Sequence, residues 1–376
     1  MLVGLITYHA AYNFGSVLQA YATQTIIEQI TGNCEIINYR TKEQRRIYSI
    51  FVWEKGKYFF KSLIKNIMIL PDYSNRKRRA KRYEKLFVTL YNLGSECKTP
   101  EEVYEQWEKY DLIVSGSDQI WNKHSNELHR IDWKYMSPYL LCGYTGKKIS
   151  YASSTASMSL SEIERIAPEI NTFSAVSGRE SETTKILNKL CTVHVSKVLD
   201  PTLLLRQEEW IELMALSHKQ EHPYILYYAL NKRKDIKTAK VIVLNYARKH
   251  NLKVKFIAPL GFGIKEETDF EVLGDVDPVD FLNLILNAET IITDSYHGTV
   301  FSVNFKKDFF SINGINKSDF RKTDFLKLVG LESRSISKLT DLMERTFDKI
   351  NYAQVYNSLD IMRKESIEYL RKALQE

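Results

Sequence analysis

Short apolar, β-branched runs alternate along nearly the whole chain with longer stretches whose apolar residues recur at helical spacing. This alternation constrains the fold more than any other feature. Strands joined by helix-length connections pair in parallel, and a parallel sheet is covered by helices on both faces. The strand-like runs fall at 2–8, 34–39, 112–115, 149–152, 175–177 and 195–199, then at 224–230, 253–259, 290–293 and 309–312. Between them, Leu18, Tyr21, Ala22 and Ile26 share one helical face, and 235–249 reads as another helix. Pro278 opens a further helix at its first-turn position, where a missing N–H costs nothing. At the end, Val355, Leu359, Met362, Tyr369, Leu370 and Ala373 share one face. A chain of 376 residues is long enough for two such units. The expected division is an N-terminal α/β domain over 1–205 with a basic helical insertion at about 40–95, a C-terminal α/β domain over 222–350, and a C-terminal helix over 351–376.

Charge is unevenly spread. Residues 40–85 hold 15 Lys and Arg against 4 Asp and Glu, and the whole chain is at +7, so the remainder is acidic. The same segment carries Trp53, Tyr58, Phe59, Phe60, Ile64, Ile67, Met68 and Leu70. Basic and aromatic residues interleaved on helices suit an anionic membrane surface. They equally suit helices packed on the domain with solvated Lys and Arg. No nucleic-acid module signature accompanies them, so nucleic acid is not expected as a partner. Cys34, Cys97, Cys142 and Cys191 stand apart, with no CxxC pair, as idle thiols in a reducing compartment would. The opening Met1-Leu2-Val3-Gly4-Leu5-Ile6 has no charged n-region and reads as a strand, and no apolar run is long enough for a transmembrane helix. The expected location is cytoplasmic, with peripheral attachment to the inner membrane face left open by the basic segment.

Polar and glycine-containing clusters fall at the carboxyl ends of the expected strands, where open parallel sheets bind ligands. The sharpest is Asp294-Ser295-Tyr296-His297-Gly298-Thr299, which follows a strand and opens a helix. A helix start offers unpaired N–H groups to phosphate or carboxylate. Gly298 would let the backbone approach a ligand, and His297 is a proton donor near neutral pH. His297 could equally be a core histidine, with Asp294 or Ser295 merely a cap. Arg179 follows a short strand and is either an anion clamp or an ion-pair partner of Glu180 or Glu182. Tyr12-Asn13-Phe14-Gly15-Ser16 joins the first strand to its helix without a dinucleotide fingerprint. Ser117, Asp118 and Gln119 offer the groups that grip sugar hydroxyls. No metal-ligand spacing, P-loop or GxSxG occurs, so neither a metal nor a bound cofactor is expected.

Together these stretches resemble the polysaccharide pyruvyl transferase family. The matching residues run from Ile6-Thr7-Tyr8-His9 and 12–22 through 111–122 (DLIVSGSDQIWN), 151–154, 177–180 and 198–204 to 292–299 (ITDSYHGT), in family order. The resemblance implies a GT-B-like fold of two Rossmann-like domains facing a cleft, often with the C-terminal helix crossing back. It implies phosphoenolpyruvate as co-substrate and a hexose as acceptor. Arg179, Ser295, Tyr296, His297, Gly298 and Thr299 would then bind the donor. Asn13, Phe14, Gly15, Ser117, Asp118 and Gln119 would bind the acceptor, with His297 and Asp118 catalytic. Some members carry an arginine two residues before the histidine, where this chain has Ser295, so phosphate would need other donors, such as Arg179, a helix N-terminus or a lysine.

The expected reaction protonates C3 of the vinyl phosphate, adds a sugar hydroxyl at C2, expels phosphate and closes a cyclic ketal with a second hydroxyl. A repeat unit carried on polyprenyl diphosphate would give the basic segment a use. Two alternatives stand beside this reading. One is a nucleotide-sugar glycosyltransferase of the same broad fold. The other is a non-catalytic assembly protein that docks through its basic surface.

Overall fold

The computed structural model describes the chain except residues 55, 220–221, 231–235, 258–265, 314–319 and 345–347. The expected helix start at 235 and strand end at 258–259 lie outside the described residues. The chain forms two compact units.

The first unit comprises Met1–Ser49, Glu84–Leu205 and Leu359–Glu376. Its sheet contains β1 (Val3–Ile6), β2 (Cys34–Ile36), β3 (Leu112–Ser115) and β4 (Lys147–Ser150), all parallel in the order β2-β1-β3-β4. Every residue of β1 and β3 is buried, as expected of strands covered on both faces. β5 (Val176–Gly178) pairs with β6 (Val195–Lys197) and extends this sheet, the Ser150 N–H donating to the Ala175 carbonyl at 2.9 Å. The helix Phe14–Thr31 starts at Asn13, whose side-chain oxygen accepts from the N–H groups of Gly15 and Ser16. It ends at Gly32, whose φ of 83° favours glycine. Sequence periodicity gave this helix one apolar face, yet Phe14–Thr31 is buried on most sides, Ser16, Gln19 and Thr23 included.

The second unit comprises Ile50–Tyr83 and Arg206–Ser358. Its parallel sheet runs β12-β11-β10-β7-β8-β9. The strands are β7 (Tyr224–Tyr228), β8 (Lys253–Ile257), β9 (Phe270–Leu273), β10 (Thr290–Thr293), β11 (Asp308–Ile312) and β12 (Ser335–Ile336). Tyr227 stacks on Phe256 at 5.0 Å within a core that includes Phe270, Ile292 and Phe310.

Two assignments differ from the sequence expectation. Residues 50–83 group with the second unit, not the first. The physical reason is charge: Arg82 pairs with Asp277 at 2.6 Å and with Asp280, and Arg78 pairs with Asp275 at 2.8 Å. The C-terminal helix Tyr352–Gln375 is shared, its part from Leu359 onward grouping with the first unit. There Arg363 donates to the Leu203 carbonyl at 2.6 Å, and Tyr369 to that of Ser150 at 3.0 Å.

Each sheet has one place where successive crossovers leave in opposite directions, between β1 and β3 and between β7 and β10. The carboxyl ends of such strand pairs form the ligand crevice of open α/β sheets.

Candidate active site

In the first unit the carboxyl ends of β1 and β3 carry a buried polar network. Asp118 accepts from the Ser16 hydroxyl at 2.8 Å and from the Gln119 N–H at 2.8 Å. Gln19 ties the two loops together, donating to Thr7 Oγ1 at 2.9 Å and accepting from the Ser117 hydroxyl at 3.0 Å. Asn13 caps the helix with its side chain, Phe14 is buried, and the Gln119 carboxamide oxygen accepts from Asn122 at 2.8 Å. Asn13, Phe14, Gly15 and Ser117 therefore shape the loops. Asp118 and Gln119 stand at the β3 end itself.

Arg179 follows β5 and belongs to the same network. Its side chain is 2% exposed, donates to Asp200 at 2.7 Å and to Glu180 at 3.0 Å, and stands 4.0 Å from Asp118. Of the two sequence readings, the geometry favours the ion pair. Its partners are Glu180 and Asp200.

Sequence reasoning missed the neighbours of Asp118. Glu127 is buried and accepts from the Tyr48 hydroxyl at 2.5 Å. Burial, aided by the nearby Asp118 charge, pushes its carboxyl up to about 7. With Tyr8, His9, Gln44 and Tyr139 it lines a small cleft with room for little more than a water molecule. Burial pulls His9 down to about 4, so its imidazole is neutral, held between Asn38 and the Thr7 carbonyl. No local pattern marks Tyr48 and Glu127 as partners, since 79 residues separate them.

In the second unit β10 runs directly into the helix Tyr296–Asn304. Ser295 is its cap, the side chain accepting from the Gly298 N–H at 3.2 Å. Thr299 donates back to the Ser295 carbonyl at 3.0 Å. His297, 9% exposed, sits in the first turn with its ring edge-on to Tyr296 at 5.1 Å. Asp294 accepts from the Leu230 N–H at 2.6 Å, which fixes the end of β7 against the end of β10. A Cβ at Gly298 would lie 2.5 Å from Thr293 Oγ1, so glycine here lets helix and strand pack.

Cations cluster around this helix start. The Lys322 ammonium is buried and donates to the carbonyl of Asp294 at 2.9 Å and to that of Ile312 at 2.5 Å. Arg321 lies 5.5 Å from the centre of the Tyr296 ring. Burial and then Tyr83 raise the Tyr228 hydroxyl pKa, while the Arg79 charge and a hydrogen bond with Ser295 oppose that. Lys322 and Arg321 thus stand beside a segment that lacks an arginine of its own. A helix N-terminus beside cations is chemistry for a multiply charged anion. Among the described residues no group of His, Cys, Asp or Glu could hold a metal ion.

Residues 13–314 match the polysaccharide pyruvyl transferase family, and the chain belongs to that family of transferases. No sequence among the curated proteins compared with it matches the chain. Solved structures show the fold. UDP-GlcNAc 2-epimerase from Neisseria meningitidis bound to UDP-GlcNAc superposes at TM-score 0.54 with 8% identity, covering 100% of this chain and 99% of that one. The Methanocaldococcus jannaschii UDP-GlcNAc 2-epimerase in complex with UDP-GlcNAc and UDP gives 0.50 and 13%, covering 96% and 93%. Against a Thermobaculum terrenum O-GlcNAc transferase mutant the TM-score is 0.45 at 10% identity, and this chain spans 64% of that protein's length. The fold class is GT-B-like, with a parallel α/β sheet in each unit.

Proposed function

We propose that this chain transfers the enolpyruvyl unit of phosphoenolpyruvate to a hexose of a surface-polysaccharide repeat unit, forming a cyclic pyruvate ketal. The carrying observation is the Ser295-capped helix start with His297 in its first turn and Lys322 and Arg321 beside it, in a chain of this family. The helix N–H groups and the cations bind the carboxylate and phosphate. His297 gives a proton to C3, which becomes the methyl group and leaves C2 electron-poor. A sugar hydroxyl adds at C2 and phosphate departs with the C–O bonding pair. A second hydroxyl of the same sugar then closes the ketal, and both hydroxyl protons pass to base. On this reading Asp118 orients the acceptor. Glu127, whose carboxyl titrates near neutrality, takes a hydroxyl proton. Arg179 neutralises Asp200 and Glu180 and positions Asp118 rather than gripping the donor.

Ligand-dependent melting tests the donor. Phosphoenolpyruvate at a hundred times its dissociation constant should stabilise the protein by about 2.7 kcal/mol, read as a raised melting temperature. UDP-GlcNAc should give no shift. The reverse pattern would favour a nucleotide-sugar glycosyltransferase and contradict the proposal.

A further inference from the structure

The helix Phe59–Ile69 is inside out. Its buried residues are Ser62, Asn66 and Ile69, whereas Phe60 is 73% exposed, Met68 71%, Ile64 59% and Ile67 56%. At 100° per residue Phe60, Ile64, Ile67 and Met68 form one continuous outward stripe. Leu70 continues the exposure just beyond the helix. A solvated helix normally shows the opposite polarity, and an apolar patch of this kind marks a contact surface.

The orientation is pinned by hydrogen bonds. Asn66 accepts from the Val52 N–H at 3.1 Å and donates to the Val52 carbonyl at 3.2 Å. The Ser62 hydroxyl accepts from the Glu54 N–H at 3.2 Å. Rotating the helix to hide its apolar stripe would break all three bonds, so exposure is the built state of the segment.

The surroundings identify what covers it. Exposed Lys61 and Lys65 follow the stripe along one edge. Residues 55–71 contain four lysines and no acidic residue. Trp53, 55% exposed, stacks on Phe59 at 6.2 Å, and Phe59 meets Phe60 edge-on at 5.6 Å. An apolar stripe bordered by lysines and exposed aromatic rings has the chemistry of a helix lying in the headgroup boundary of an anionic bilayer. We infer that the Phe59–Ile69 helix docks the protein on the surface of an anionic phospholipid membrane, lysines at the headgroups and Phe60, Ile64, Ile67 and Met68 among the upper acyl carbons. This docking surface is independent of the reaction assigned above.

Co-sedimentation of the full chain with vesicles tests this. The protein should pellet with phosphatidylcholine–phosphatidylglycerol vesicles at low salt, be released by added salt, and stay in solution with phosphatidylcholine alone. Lys61→Gln with Lys65→Gln should weaken binding about thirty-fold. Phe60→Ser with Ile64→Ser and Met68→Ser should abolish it, and both variants should keep the wild-type circular dichroism because the changed side chains face solvent. No pelleting of the wild type with anionic vesicles at low salt would overturn the inference, as would equal pelleting with both compositions. A concentration-dependent dimer, lost in the serine variant and accompanied by no lipid binding, would reassign the face to contact between two copies and also overturn it.

Discussion

At the scale of single residues, the most informative group is Glu127. Its folded carboxyl is raised to about 7 by burial. In the range between an ordinary carboxyl and that value, the folded state holds a proton that the unfolded state has released. Stability linked to Glu127 is therefore complete below the ordinary carboxyl range and is lost as pH rises through about 7. Glu127→Gln keeps an oxygen for the Tyr48 hydroxyl and removes the titration. Its melting temperature should exceed that of the wild type above about pH 8 and converge with it in acid. A difference independent of pH would show that the carboxyl does not titrate as described. His297 is the complementary residue. His297→Ala should lower turnover by about 10²–10⁴ with an unchanged circular dichroism spectrum, the usual contribution of a positioned proton donor. Near-normal turnover would remove its assigned role.

At the scale of elements, most of the central strands were legible because a strand buried on both faces is largely apolar. β1, β3, β7 and β10 are such runs. β9 and β12 escaped notice because they are edge strands, Phe270–Leu273 only partly buried and Ser335–Ile336 two residues long. The 294–299 string was legible as a strand-to-helix junction, since cap and glycine chemistry are local. The close packing at Gly298 was not, because it is set by the facing Thr293 side chain. Gly298→Ala should cost about 1–3 kcal/mol by denaturant titration. Adding Thr293→Ala should recover part of that loss, and no recovery would place the clash elsewhere. The cations around this helix start were invisible in sequence for a related reason. Lys322 follows Asp294 by 28 residues, across a helix, a strand and the start of a second helix.

At the scale of the whole molecule, contacts between distant segments decide membership of the units. The basic segment was readable as helical and charged, but not as part of the second unit, since Arg82 finds Asp277 across 195 residues. The C-terminal helix likewise supplies the first unit with Leu359, Leu370 and Leu374, all buried, and with the hydrogen bond from the Leu199 N–H to Ser366 at 3.0 Å. A chain ending at Ser358 should lose hydrogen-exchange protection in β4 and around Leu199 while retaining it in β7 and β10. Uniform loss across both units would contradict that division. Among the described residues no helix is long and apolar enough to cross a membrane.

The central claim is the reaction, and product analysis tests it most directly. The protein would be incubated with phosphoenolpyruvate and a panel of β-galactosides, glucosides and N-acetylmannosaminides, free and polyprenyl-diphosphate-linked. Phosphate release and the mass of the sugar would be followed together. The account predicts a sugar that gains one pyruvate ketal for each phosphate released, and loss of both signals in His297→Ala. Phosphate release without a change in sugar mass, or sugar transfer from a nucleotide donor in the same panel, would contradict it.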